Sequence, residues 1–429
     1  MKAGLIRQAL RAHPWSFAGP FITQCLAAAL VSGALGALRS LPSGTDLHEF
    51  AGVLVGLAVY LAAILVGVTM SSTIARQAQD VALVRAIGAT PGQVRRAVAG
   101  QAAVIAVPAT LIGVPLGAVG GRLWVESLAT HGAAPAGTTF RTFGAALPIA
   151  LAIVVGTSVL GALIAAIRPS RVRPAVALTD TAAPRRRIGP IRAGLGVLFV
   201  GGGITGSVAV SRLGADDAEQ AVFFVLLAMC VGAGLLAPAL LRLTAPFARL
   251  AGRTGVLAAD NLAARAKAFS GAFVPLVLAA AFATIKIAVH TTAEHVTGHP
   301  EPAADVWLDY SGTAVYVVFA TVAALTTLIT VVLGRRRELA LLRLAGATRS
   351  SALGVIVCEA LVVTVTGLLV AAGAAAATLL PMLPTAPYLP PPVVVAGVLG
   401  VALVVTAGMA IPALGVMRRP AIASLGDGP

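Results

Sequence analysis

Two similar segments, DVALVRAIGAT at residues 80–90 and ELALLRLAGAT at residues 338–348, lie 258 positions apart (338 − 80) in this chain of 429 residues. We call them the first and second repeat segments. Six of their positions are identical, and in the first segment these are Ala82, Leu83, Arg85, Gly88, Ala89 and Thr90. A charged and apolar pattern that is repeated in this way indicates an internal duplication.

The chain around these segments has the composition of a membrane protein. Hydrophobic residues make up 58% of it and charged residues 11%, with a mean hydropathy of +0.94. A soluble domain carries about 25% charged residues. Apolar runs long enough to cross a bilayer lie at 15–38, 50–74, 97–124, 143–167, 193–211, 221–241, 269–289, 311–334, 351–380 and 391–417. The sequence therefore predicts an all-α integral membrane protein with about ten transmembrane helices.

The net charge of +15 follows the expected membrane topology. Basic residues cluster at 2–11, 76–96, 168–192, 242–267, 335–349 and 418–419, whereas acidic residues are most frequent at 46–49, 216–219 and 294–309. Positive residues stay on the cytoplasmic side of membrane proteins. We therefore expect both termini and both repeat segments to be cytoplasmic, and the basic charge requires no nucleic-acid partner.

The repeat segments predict the domain organisation. Six spans separate the two copies, so the repeats are parallel and not inverted. Each copy has two apolar runs on either side. The chain is then a four-helix repeat at 1–178, a two-helix spacer with its linkers at 179–255, and a second four-helix repeat at 256–429.

Each repeat segment predicts a short amphipathic helix, a break and a new helix. In the first copy, residues 83–87 carry the apolar stripe and Gly88 is a natural helix stop. Thr90 is the expected N-cap of the next helix, with Pro91 in its first turn and Gln93 completing a capping box. In the second copy, a serine and not a glutamine follows the threonine by three positions, which predicts a weaker start.

A helix this short is marginal in water and needs a surface to pack on. One alternative is that both segments are interfacial connectors at the headgroups. Such anchoring does not require identity at Arg85/Arg343, Gly88/Gly346 and Thr90/Thr348. Docking on two copies of one partner does require it, because a two-fold symmetric partner presents the same surface twice.

The second segment and the helix after it, ELALLRLAGATRSSALGVIVCEAL at 338–361, resemble the FtsX-like (MacB-like) permease family of ABC transporters. The first copy departs from that pattern in having Asp80 for Glu338 and Gln101 for Glu359. The segments that lead into the first and seventh runs also resemble the entry segments of the family. They are LIRQALRAHPWSF and LAADNLAARAKAF.

The resemblance implies that each repeat segment is a coupling helix on a cytoplasmic ATPase. The implied contact residues are Asp80, Arg85, Gly88, Thr90, Glu338, Arg343, Gly346 and Thr348. The chain has no G-x-x-x-x-G-K-[ST] motif, so ATP and Mg²⁺ are expected on the partner, in two copies. With two docking helices in one chain, the protein is expected to be a fused pseudo-dimer. The sequence leaves open whether a second permease chain joins it, and membrane lipid is a further partner.

Three polar residues fall inside or near the apolar runs. Glu359 is either a polar hinge between moving helices or a carboxylate solvated by headgroups. Gln101 occupies the position in the first repeat that corresponds to Glu359. Lys286 is expected to snorkel to the outer interface, with a substrate or lipid contact as the alternative. The histidines near 290–299 have no metal-ligand spacing, so no metal site is expected.

The predicted function is the permease subunit of an ABC transporter in the cell membrane, without catalytic residues of its own. It would couple ATP hydrolysis by a separate subunit to export or membrane extraction of an amphipathic substrate such as a peptide, antibiotic or lipid. One alternative is a non-transporting regulator that relays the state of the ATPase across the membrane. The other is a gradient-driven transporter. Such a transporter needs titratable groups near the midplane of the membrane, and only Glu359 and Lys286 come close to meeting that need.

Overall fold

The computed structural model describes residues 14–76, 83–86, 88–135, 137–142, 144–167, 189–212, 215–383 and 385–418. All regular elements in these ranges are helices. In chain order they are α1 (Pro14–Ser40), α2 (Asp46–Arg76), α3 (Pro91–Thr130), α4 (Ala146–Ile167), α5 (Pro190–Val210), α6 (Ala215–Thr244), a 3-10 helix (Ala245–Ala251), α7 (Gly252–Thr297), α8 (Ala303–Leu333), α9 (Arg336–Leu344), α10 (Arg349–Leu379) and α11 (Pro391–Arg418).

Nine stretches within the described residues are long and apolar enough to cross a membrane. The longest, Ala221–Thr297, contains most of α6, the 3-10 helix and all of α7. Because α6 and α7 pack against each other, this stretch folds back at the 3-10 helix and accounts for two of the predicted runs. Each of the ten runs thus corresponds to a helix, including the glycine-rich run at 193–211. The prediction of an all-α integral membrane protein is confirmed.

The chain divides into two compact units. Unit 1 comprises Met1–Pro184 and Glu301–Ala323, and unit 2 comprises Arg185–Pro300 and Ala324–Pro429. Helix α8 is therefore divided between them. The repeat boundaries at 178 and 255 describe the duplication in the sequence and stay a prediction.

In unit 1, a stripe of glycines on α3 allows close contact with α1. A Cβ atom on Gly117 would overlap the carbonyl oxygen of Ala29 and the hydroxyl of Ser32. Gly113 lies equally close to the backbone of Cys25. The hydroxyl of Ser32 donates a hydrogen bond to the carbonyl of Val114 at 3.2 Å. Small residues at this spacing let membrane helices approach closely. In lipid, no hydrophobic effect drives helices together, so their packing energy comes from such close contacts.

A buried apolar cluster fixes the position of the first repeat segment in unit 1. It is formed by Met70, Ile74, Val94, Val98, Ala102, Ala162 and Ala166, from α2, α3 and α4. Ala89 of the repeat segment packs against this cluster. The segment therefore packs at a defined position at the ends of these three helices.

The first part of α8 is held to α3 by polar contacts of two tryptophans. The indole N–H of Trp124 donates to the hydroxyl of Ser311 at 3.0 Å, and that of Trp307 donates to Ser127 at 3.0 Å. The ring of His131 stacks on Trp307 with centroids 3.9 Å apart. A buried or half-buried indole N–H requires such a partner.

In unit 2, α7 packs on both α6 and α10, and α10 also packs on α11. Phe269 and Phe273 of α7 are fully buried. Arg192, at the start of α5, donates to the carbonyls of Gly234 and Leu235 at 3.2 and 2.9 Å. Pro238 has no N–H to offer the carbonyl four residues before it. Arg192 therefore satisfies the backbone group that the proline leaves open.

Candidate functional site

Both repeat segments end their short helix with the same backbone structure. Gly88 has a φ of 102° and Gly346 a φ of 93°. Two hydrogen bonds close each turn, of the pattern in which the glycine N–H reaches back three residues and the next N–H reaches back five. They are Gly88 to Arg85 at 3.0 Å, Ala89 to Val84 at 3.3 Å, Gly346 to Arg343 at 3.1 Å, and Ala347 to Leu342 at 3.0 Å. The predicted glycine stop is confirmed in both copies.

The helix that follows each segment begins at a threonine N-cap. The Thr90 hydroxyl accepts from the Gln93 N–H at 3.3 Å, and the Thr90 N–H donates to the Gln93 side chain at 3.0 Å, which completes a capping box. The Thr348 hydroxyl accepts from the Ser351 N–H at 3.2 Å, without the reciprocal bond. The predicted difference between a full and a partial cap is confirmed.

An exposed leucine occupies the same position in both segments. Leu83 is 54% exposed and Leu341, 258 positions later, is 50% exposed. In α9, Leu339 and Ala340 are buried against the protein. Helix α9 therefore packs one face inward and leaves Leu341 outward, so each copy presents an apolar side chain that its own unit does not cover.

In unit 2, a network of charged side chains surrounds the start of α9. The guanidinium of Arg335 makes a bidentate ion pair with the carboxylate of Glu359 on α10, with one of the two bonds at 2.9 Å. Arg335 is 3% exposed and Glu359 is 0% exposed. Glu338 pairs with Arg265 of α7 and lies 3.7 Å from the Nε of Arg335. The network joins α9 to two membrane helices.

The last turn of α9 is also attached to the membrane helices. Arg343 Nη1 donates to the carbonyl of Met417 at 2.9 Å, close to the end of α11. A cation is favourable there, because the carbonyls of the last helical turn have no helical partners and carry partial negative charge.

A family profile described as FtsX-like permease C-terminal matches residues 52–174 and 311–421. The two matches begin 259 positions apart (311 − 52), close to the offset of the repeat segments, and each contains one repeat segment. This chain belongs to the FtsX-like permease family. The resemblance noted in the sequence is thereby confirmed, and no curated protein matches the chain.

This FtsX-like permease is a multi-pass protein of the cell membrane. Its family consists of membrane subunits that normally work with a cytoplasmic ATPase of the ABC class. The two family matches lie on either side of helices α5 and α6.

The predicted contact residues of the permease have different environments. Gly88, Thr90, Gly346 and Thr348 form the turns and caps described above. Arg85 is half-buried in the first segment, and Asp80 lies outside the described residues. Glu338 and Arg343 are engaged within unit 2, by Arg265 and by the carbonyl of Met417.

The predicted intramembrane polar residues also differ from one another. Glu359 is fully buried and paired, so the alternative of a carboxylate solvated by headgroups is wrong. Gln101 is buried in α3. Lys286 is half-buried in α7. Its snorkelling to the outer interface stays a prediction, with a substrate or lipid contact as the alternative.

Sequence reasoning missed Arg335 and Arg265 as members of the site. Both lie in basic clusters that the sequence predicts to be cytoplasmic, and the three consecutive arginines at 335–337 resemble an ordinary topology signal. The spacing from Arg335 to Glu338 allows an ion pair on one helix face. Nothing in the spacing to Glu359 indicates that Arg335 is the arginine that is buried.

Proposed function

We propose that this FtsX-like permease is the membrane subunit of an ABC transporter and that the repeat segments dock two copies of a cytoplasmic ATPase. The ATPase would bind ATP and Mg²⁺. The observation that carries the proposal is the agreement between the two segments: the same turn, the same threonine cap and an exposed leucine at the same position. Two identical docking surfaces suit a partner with two-fold symmetry.

The exposed leucines supply the apolar centre of each docking surface. A short helix with an uncovered apolar side chain fits a groove on a partner, in the way that amphipathic helices bind grooves generally. The buried Leu339 and Ala340 keep the helix on the permease while Leu341 faces outward. A coupling helix that transmits force must be attached to the permease on one face and must contact the ATPase with the other.

The substrate that fits this chain is amphipathic, such as a peptide, an antibiotic or a lipid. The connections on the predicted outer side are short: 41–45, 131–145, 211–214, 298–302 and 380–390. They leave no room for a folded outer domain among these helices. We therefore favour export, or lateral extraction from the membrane, over a mechanism that moves a large outer domain.

Purification of the tagged full chain from its native membranes tests this function. We expect an ABC ATPase in the eluate, identified by mass spectrometry, and vanadate-sensitive ATP hydrolysis. The double variant Leu83→Arg/Leu341→Arg should lose the ATPase, because two charges would enter apolar contacts. Leu250→Arg is the matched control, since Leu250 is 88% exposed on the 3-10 helix, another connection predicted to be cytoplasmic.

Three results would change the proposal. Wild type without any ABC ATPase would refute it. Retention of the ATPase by the double variant would move the docking surface away from the leucines. An ATPase that binds normally but whose activity in proteoliposomes is insensitive to cationic peptides, amphipathic antibiotics and lipids would favour the regulatory alternative.

A further inference from the structure

We propose that the buried Arg335–Glu359 ion pair makes the second repeat segment the one that transmits movement of the ATPase to the membrane helices, while the first acts mainly as a docking point. This inference rests on the proposed function, since it assigns unequal roles to the two docking segments. It concerns positioning residues that act through α9 and α10.

Helix α9 is attached to the membrane helices of unit 2 at its N-cap, in its first turn and in its last turn. Arg335 is its N-cap residue and binds Glu359 of α10. Glu338, in its first turn, pairs with Arg265 of α7. Arg343, in its last turn, donates to the end of α11 at 2.9 Å. A displacement of α9 by a bound partner would therefore pull on three membrane helices together.

The ion pair with Glu359 is the contact in this set that resists sliding. A guanidinium and a carboxylate that meet through two parallel hydrogen bonds fix both distance and direction. Both groups are buried, so separation would leave two charges without water. Helix α10 also packs on α6, α7 and α11, so its movement would reach most of unit 2.

The first repeat lacks this ion pair at the corresponding positions. The residues 258 positions before Arg335 and Glu359 are Gln77 (335 − 258) and Gln101 (359 − 258). Two amides cannot form an ion pair, whatever their geometry. The Oε1 atom of Gln101 is buried without a hydrogen-bond partner among the described residues. The two repeats therefore share docking features but differ in residue type at the two positions that make this ion pair.

The test compares stability, partner binding and transmission in the same variants of the full-length permease with its ATPase. Arg335→Gln leaves the buried carboxylate of Glu359 without its bidentate partner. Glu359→Gln leaves the buried Arg335 with only the half-exposed Glu338, 3.7 Å from its Nε. The double variant Arg335→Gln/Glu359→Gln removes both charges and gives the second repeat the glutamines of the first. Gln101→Leu is the matched control in the first repeat.

Transmission is measured as the change that ATP and vanadate cause in the labelling rate of a single cysteine. The label is a water-soluble maleimide. The probes are Leu380→Cys, at the exposed outer end of α10, and Arg122→Cys, its counterpart in α3 (380 − 258). The native cysteines at 25, 230 and 358, which are free, are replaced by alanine.

We expect the double variant to regain thermal stability relative to the single variants and to keep the ATPase. It should nevertheless lose the nucleotide-dependent change in labelling at position 380. A purely structural role would restore stability and labelling together. Gln101→Leu should leave the change at position 380 intact.

The inference is overturned if the double variant keeps the ATPase and still shows the wild-type change at position 380. Equal loss of that change in Gln101→Leu also overturns it, because the repeats would then transmit alike. If wild type binds no ATPase, the proposed function itself fails. A wild type that binds the ATPase but shows no change at position 380 refutes only the inference.

Discussion

Arg335 and Glu359 meet through two parallel hydrogen bonds although they lie on different elements, the N-cap of α9 and the interior of α10. Both side chains are almost completely removed from the surface. Removal of two charges from water is costly, and their mutual attraction offsets that cost only when the geometry is good. The two charges are therefore tolerated together, and removal of either partner should destabilise the fold.

Glu359→Gln should lower the free energy of unfolding by about 3–5 kcal/mol, because Arg335 would lose its buried, bidentate counterion. Only the half-exposed Glu338, 3.7 Å from its Nε, would remain beside it. The measurement is thermal or denaturant unfolding of the purified permease in one detergent. Glu126→Gln, which breaks an exposed pair with Arg122, is the control and should have little effect, because solvent screens the pair. Equal losses in the two variants would show that burial does not matter here.

Gly88→Ala and Gly346→Ala should each open the turn at the end of their repeat segment. Nothing lies within 4 Å of a Cβ at either position, so the cost comes from backbone strain alone. An L-residue with positive φ costs about 1–2 kcal/mol. We expect faster amide hydrogen exchange at residues 84–89 and 342–347, measured by mass spectrometry.

Gly92→Ala is the matched control for both glycines. Gly92 is helical and also has nothing within 4 Å of a Cβ. Alanine there should be neutral or should gain up to about 1 kcal/mol. If the control and the test variants exchange alike, the positive φ does not define these turns.

Thr90→Ala should destabilise the start of α3 more than Thr348→Ala destabilises the start of α10. The first removes the acceptor of a reciprocal capping box, and the second removes a single bond. Loss of an N-cap threonine costs about 0.5–2 kcal/mol. Hydrogen exchange at the Gln93 and Ser351 amides reports each cap, and Thr90→Ser should retain protection. Equal effects at both caps would contradict the prediction.

Gly117→Ala should push α1 and α3 apart, because the new Cβ would overlap the carbonyl oxygen of Ala29. Overpacking of this kind costs about 1–3 kcal/mol. Gly120→Ala lies on the same helix with nothing within 4 Å of its Cβ and is the control. A lower unfolding temperature for Gly117→Ala alone is the expected result; no difference between the two would show that the helices separate freely.

The glycine contact also shows where sequence patterns stop being informative. The spacing of Gly113, Gly117 and Gly121 is visible in the sequence, but a chain with 46 glycines produces such spacings by chance. The structure selects these three because they face α1, whereas Gly120 on the same helix faces open space. Orientation around the helix axis is set by packing, which the spacing alone does not encode.

The sequence by itself determined the local features of this permease. Apolar runs predict membrane helices because lipid cannot satisfy backbone groups, and Gly88, Thr90 and their counterparts predict turns and caps because those preferences act within a few residues. The offset of 258 residues revealed the duplication. All of these depend on residues that are near each other in the chain or on comparison of the chain with itself.

Only the tertiary structure decided which charged residues become one site. Arg335 is one of three adjacent arginines, and its burial against Glu359 depends on how α10 packs beside α9. The same holds for Arg265, which meets Glu338 across 73 residues of sequence, and for Arg343, which reaches the end of α11. Long-range contacts of this kind follow from the mutual packing of helices, and no local propensity selects the residues that make them.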